Sequence, residues 1–236
     1  MTGNPTCPLS RELINALWKI SRRYCEAEGG PHGPDHTERV YHLALALGRA
    51  LGARLDILAT AALLHDIGRR FESESKGAIC HARKSGELAE TILADLGFSA
   101  PDIEAVTHCI RAHRFRGGEA PRTLEAEILF DADKLDSIGA IGIGRAFLFA
   151  GQIGAKLHDA EIDHGSTRSY SHEDTAYREF QVKMSRVREQ MRTAPGRELA
   201  EQRHRFMEIF FDELNREIYG SDTMSGRGKA NNGTPC

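Results

Sequence analysis

Residues 62–68 read ALLHDIG, so His65 and Asp66 stand side by side at the end of an apolar stretch. Burying a polar group without a partner costs on the order of a few kcal/mol, and an unpaired charge costs far more. A hydrogen-bonded core contact, a helix C-cap or a metal ion would each satisfy the pair. The decision rests on what else the chain turns inward.

Side chains three, four and seven residues apart share a helix face. By that spacing His36 joins Val40, Leu43 and Leu47, His65 joins Leu58 and Ala62, and Asp131 joins Leu124, Ile128 and Leu135. His81 joins Leu88 and Ile92, and His113 joins Ile103, Val106 and Ile110. His108 aligns with Glu104 and Arg111, so it is expected in solvent. A single inward histidine is more often a hydrogen-bonded core residue than a ligand. Five helices each turning such a group inward favour a shared metal. Imidazole nitrogen with carboxylate oxygen suits Mn, Fe, Co, Ni or Zn, and two histidines with two aspartates leave coordination positions for water and substrate.

The elements that must hold these groups are helical, with no convincing period-two strand, so an all-α fold is expected. Leu13, Leu17, Ile20 and Tyr24 stripe a first helix that should end at Gly29 and Gly30. Further helices are expected over about 36–51, 55–67 and 79–97, then from Ser99, with Asp102 at capping-box spacing, to about His113. Another follows Thr123. Beyond a glycine-rich loop, Ser171 and Asp174 should head a helix with Tyr177, Phe180, Met184, Val187 and Met191 on one face, stopped by APG at 194–196. A last helix should bury Leu199, Phe206, Phe210 and Leu214 and stop at Gly220.

Composition narrows the class. The 236 residues show no linker-like break before the C-terminus, so one domain over 1–220 and a disordered tail over 221–236 are expected. No apolar run could span a bilayer, and the start MTGNPTCPLS lacks signal-peptide character, so the expected location is cytoplasmic. Five scattered cysteines, Cys7, Cys25, Cys80, Cys109 and Cys236, suggest neither a disulfide framework nor a thiolate zinc site. A net charge of −3 gives no global reason to expect a nucleic acid polymer as partner. A small phosphorylated substrate is the expected partner, with no membrane, and with a homodimer left open.

His36, then His65-Asp66, then Asp131 on successive helices resembles the HD-domain superfamily of metal-dependent phosphohydrolases. HGPDHTERV, AALLHDIGRR, CHARKSGELAE, IRAHRFRGG and TLEAEILFDADKLDSIGAIGIGRAF resemble blocks of one bacterial and archaeal branch, continuing through EDTAYREF and LAEQRHRFM, so the likeness spans about residues 9–219. The resemblance implies an HD-type helical bundle with extra C-terminal helices, and His36, His65, Asp66 and Asp131 as ligands of one divalent ion (Mn, Co, Ni, Fe, Zn or Mg). Related HD proteins hydrolyse nucleoside triphosphates, nucleoside monophosphates, cyclic dinucleotides or alarmones. A few instead hold two irons and oxygenate their substrate, which here would need His81 and His113, and others have decayed into binding modules.

For hydrolysis, a bound divalent ion acidifies water and offsets phosphoryl charge, and cations should surround the equatorial oxygens. Asp66 is the expected water-orienting carboxylate. Arg69 and Lys134 lie one turn past the two ligand segments, Lys76 lies in the following loop, and Arg111, Arg114 and Arg116 cluster near His113. Lys134 has an alternative in an ion pair with Asp133 or Asp136. Arg83 and Lys84 near His81, with Arg111 and Arg114 near His113, disfavour a second cation. The substrate-phosphate group is therefore expected to be His81, His113, Arg114 and Lys76. The segment 151–171 is expected to be a mobile loop at the site mouth.

Overall fold

The computed structural model describes residues 9–25, 33–114, 119–159, 167 and 171–220. Among them the chain is all-α, with helices α1 (Arg11–Cys25), α2 (Pro34–Leu51), α3 (Leu55–Leu64), α4 (Arg69–Glu74), α5 (His81–Asp95), α6 (Ala100–Ala112), α7 (Leu124–Leu135), α8 (Gly139–Gln152), α9 (Ala176–Val182) and α10 (Ala194–Tyr219). A 3₁₀ helix, Met184–Gln190, joins the last two. No described helix is long and apolar enough to cross a membrane.

Helix α3 occupies the centre because its sequence is apolar all round: apart from Asp56, every residue from Leu55 to Leu64 is buried. Helices α1, α2, α6 and α7 pack around it. One hydrophobic cluster runs from Leu17 through Leu58, Ile110 and Leu129 to Met207 and Phe211. Caps fix several boundaries: Ser99 Oγ accepts the amide of Asp102, and Thr123 Oγ1 accepts that of Ala126. Cys25 and Cys109 are buried.

The C-terminal third departs from the pattern in its sequence. Helix α8 was hidden by its glycines, which interrupt the stripe that Ile143, Ala146 and Ala150 bury. The cap of α9 is Thr175, which accepts the amide of Arg178, and not Ser171. APG begins a helix where a stop was expected: Thr193 caps α10, and Pro195 sits in its first turn, where a missing N–H costs little. The buried stripe of α10 is Gly196, Ala200, His204, Met207 and Phe211, while Phe206 is 48% exposed. Stacking of Phe211 on Phe180 at 4.6 Å sets that rotation. Residues 160–166 and 168–170 of the expected 151–171 loop, the Gly29–Gly30 stop and the tail after Gly220 lie outside the described residues.

Candidate metal centre

The chemical groups arrive at helix ends. His36 lies in the first turn of α2, and α3 stops at Leu64, leaving His65 at its C-cap and Asp66 in the turn before α4. His81 opens α5, His113 is the C-cap of α6, and Asp133 sits in the last turn of α7. The turn after Asp66 must pass directly over the start of α5. Gly68 permits this: its amide donates to Ser85 Oγ at 2.8 Å, and a Cβ there would lie 2.6 Å from both the His81 carbonyl oxygen and the Ser85 nitrogen.

Asp66 stands at the middle. Its Oδ2 is 3.8 Å from Nε2 of both His36 and His65, and its Oδ1 is 3.6 Å from Nε2 of both His81 and His113. Within each pair the Nε2 atoms are 3.2 Å apart. Asp133 Oδ1 joins the first group at 3.4 Å from His36 Nε2. The ligand atoms of His36, His65 and Asp66 lie within 4.8 Å of one another, as do those of Asp66, His81 and His113. All five residues are buried.

The outer nitrogens are all engaged. His65 Nδ1 donates to the Ala62 carbonyl at 2.8 Å, and His113 Nδ1 donates to that of Ile110 at 2.6 Å. Carboxylates hold the other two: Asp136 Oδ2 at 2.7 Å from His36 Nδ1, and Glu72 Oε2 at 2.5 Å from His81 Nδ1. A neutral imidazole that gives its Nδ1–H to an oxygen presents a bare lone pair at Nε2. Neutral His81 and His113 would thus meet lone pair to lone pair, and a cation between them removes the repulsion. Backing ligand histidines with a carboxylate or carbonyl is how proteins orient them toward metal ions. The donor set fits a divalent metal in both groups.

Electrostatics agree. Burial pushes the His65 pKa down to about 4 and lowers that of His81 despite Glu72, which keeps both in the ligating form at neutral pH. Burial would also lower His36, but hydrogen bonds to Asp133 and Asp136 outweigh it and raise the pKa. Burial alone would raise the Asp66 and Asp133 carboxyls. Arg69 and the histidines hold Asp66 well below the usual carboxylate range, and Lys134 with His36 does so for Asp133.

Asp131 is the main correction to the sequence reading. Its carboxylate faces α10, accepting the amides of Arg192 and Thr193 at 2.8 Å each and the Thr193 hydroxyl at 2.7 Å. Asp133, two residues on, is the α7 carboxylate that faces the cluster, 3.4 Å from His36 Nε2. His81 and His113, expected to contact substrate phosphate, bring their ligand atoms together with that of Asp66 closely enough that the three could hold an ion. Their basic neighbours are turned away or compensated: Arg83 is exposed, Lys84 pairs with Glu87, Arg111 with Glu90, and Arg114 with Glu72 at 3.0 Å. Lys76 is exposed in a turn with φ of 52°. Lys134 pairs with Asp133 at 2.6 Å, the alternative noted for it, and Arg69 grips both oxygens of Asp66 at 3.1 Å. His108 is buried, against expectation, with its Nε2 accepting the amide of Arg122. Arg116 lies outside the described residues.

Glu72, Asp133 and Asp136 were the functional side chains that the periodicity did not single out as ligands or their supports. The usable signal was the spacing of Asp133 and Asp136, three apart and so on one face of α7, which packs against α2.

Comparison with known proteins agrees with this architecture. A family model described as the HD domain matches residues 35–138. The uncharacterized protein YpgQ of Bacillus subtilis strain 168 is 35% identical over 199 residues, covering 83% of this chain and 88% of that one. The crystal structure of Bacillus subtilis YpgQ in complex with ADP matches with a TM-score of 0.68 at 29% identity, over 89% of this chain and 97% of that chain. An HD-superfamily hydrolase from Bacillus thuringiensis matches with a TM-score of 0.68 at 28% identity, over 89% and 98% of the two chains.

Proposed function

The chain belongs to the HD-domain superfamily, and on that premise we propose that it is a divalent-metal-dependent phosphohydrolase that releases phosphate or pyrophosphate from a nucleotide or another small phosphorylated metabolite. One observation carries this reading: each oxygen of Asp66 faces its own pair of histidine Nε2 atoms. His36, His65, Asp66 and Asp133 would hold one ion, and Asp66, His81 and His113 a second.

Divalent ions bound there would make a water acidic enough to attack phosphorus at neutral pH and would offset charge on the phosphoryl oxygens. The chain's own groups do the positioning. Asp66 is held in one orientation by Arg69, and the four histidines are held by Asp136, Glu72 and two backbone carbonyls. Arg69, Lys134 and Arg114 border the cluster, each tethered to a carboxylate, so they bring positive charge to the rim without leaving it unpaired. The ADP complex of YpgQ supports a nucleotide among the substrates to be tried.

The test is a panel of nucleoside mono-, di- and triphosphates and sugar phosphates, assayed with each divalent metal and with chelator. Metal-dependent phosphate or pyrophosphate release, abolished in Asp66→Ala, is the expected result; no release with any metal overturns it. The same two ligand groups also suit a di-iron oxygenase. Running the panel without oxygen separates the two, because hydrolysis proceeds and oxygenation stops.

A further inference from the structure

We propose that the cleft between α1 and α2 is a second binding site, separate from the histidine cluster, for a nucleoside polyphosphate, with the base against Trp18 and the phosphates on Lys19, Arg22 and Arg23. The cleft has a volume of about 660 Å³, a size typical of pockets for small organic ligands. None of its lining residues belongs to either metal-ligand group.

Its chemistry is two-sided. Trp18 meets Tyr41 edge to face at 5.4 Å, giving the cleft an aromatic wall. The Arg22 guanidinium carbon lies over the Trp18 ring, 5.8 Å from its centroid, so a base would take the place of that side chain as Arg22 turns to phosphate. A flat base can stack on such a face whatever its identity.

Positive charge gathers on the same face of α1, because Trp18 and Arg22 are one turn apart, as are Lys19 and Arg23. Some exposed cations of this molecule are matched with acids, as Arg54 is with Asp56 and Asp102, Arg70 with Glu74, and Arg188 with Glu201. Among the described residues, Lys19, Arg22 and Arg23 make no ion pair. The one acid of the cleft, Glu38, lies 3.9 Å from His42 on its own helix. Cations in a last helical turn can serve the helix dipole, as Arg22 and Arg23 do, and Trp18 packs against the core, but Lys19 lies a turn earlier and has neither role. Three cations without an ion pair among the described residues, beside an aromatic face, suit an anion that carries a ring.

Trp18 is the only tryptophan of the chain, so its emission reports the cleft directly. The full-length protein is titrated with ADP in chelator, followed by Trp18 fluorescence. We expect a saturable change that is retained in Asp66→Ala and Asp66→Asn and weakened at least about tenfold when Lys19, Arg22 and Arg23 are all replaced by alanine. These three side chains are exposed, so the triple variant should melt as the parent does. An unmoved emission overturns the proposal. So does a response that survives the triple variant and disappears in both Asp66 variants. Inorganic pyrophosphate competing as well as ADP would remove the base from the site, and a single-stranded oligonucleotide binding in clear preference to ADP would assign the cleft to a polymer instead.

Discussion

Asp136 and His36 meet across two helices: Oδ2 of Asp136, just past the end of α7, lies 2.7 Å from Nδ1 of His36 at the head of α2. Arg39 and Arg145 hold the same carboxylate at 2.6 and 2.7 Å. The aspartate thus fixes the ring that both Asp133 and Asp66 face from the other side.

Asp136→Asn keeps the shape of this contact and removes its charge. It also allows the amide to donate to Nδ1, which selects the tautomer that cannot ligate through Nε2. Metal affinity of the His36 group should fall about 10- to 100-fold. Calorimetric titration giving the parental affinity would show that His36 needs no such support.

Asp131 and Asp133 make opposite predictions. Asp131→Ala leaves two amides and a hydroxyl at the α10 cap without their acceptor, costing about 1–3 kcal/mol of stability, while the bound metal stays. Asp133→Ala should remove metal from the His36 group and leave the α10 cap intact. Denaturation curves and elemental analysis of both variants check this; metal lost from Asp131→Ala with metal kept in Asp133→Ala would restore the ligand set expected from sequence.

The two aspartates also show what the sequence could carry. Helices α2, α3, α5, α6 and α7 were legible from their periodicity, and with them the inward direction of His36, His65, His81 and His113. Periodicity tells inside from outside and fails to tell one buried neighbour from another. Helix α7 is buried on several faces, at Ala126, Ile128, Leu129, Phe130, Ala132 and Leu135, so an inward Asp131 can point at α10 as readily as at the metal ligands. Pairing across helices was equally hidden: the basic residues near His113 read as a repulsive field until Glu72, carried by the short α4, is placed against Arg114 and His81. The APG start of α10 misled because proline and glycine punctuate both ends of helices.

Metal-free protein should lose stability in acid through the imidazoles. His65 in the folded chain has a pKa of about 4 because of its burial, against an ordinary 6.5. Between these values the unfolded chain binds a proton that folded His65 refuses, so its contribution is complete above pH 6.5 and is lost as pH falls toward 4. His81, also lowered by burial, acts in the same direction; His36, which is raised, acts in the opposite one. Urea unfolding in chelator at pH 7.5 and pH 5 should therefore show a larger drop for the parent than for His65→Gln. Equal drops would mean that His65 titrates alike in both states.

Gly68→Ala should separate the two ligand groups without touching a ligand. The added methyl would press on the His81 carbonyl oxygen and the Ser85 nitrogen at 2.6 Å and on the Lys84 carbonyl carbon at 3.0 Å. These are backbone atoms of a helix start and cannot swing aside as a side-chain tip would. The turn after Asp66 and the head of α5 must move apart, costing about 1–3 kcal/mol by overpacking. That displacement pulls His81 away from Asp66 Oδ1, whereas His36, His65 and Asp133 sit on α2, at the end of α3 and on α7, which this contact does not join. The variant should melt lower and, by elemental analysis at saturating metal, hold one ion where the parent holds two. Two ions per chain with parental affinities in Gly68→Ala would show that the spacing of α5 from this turn does not set the second group.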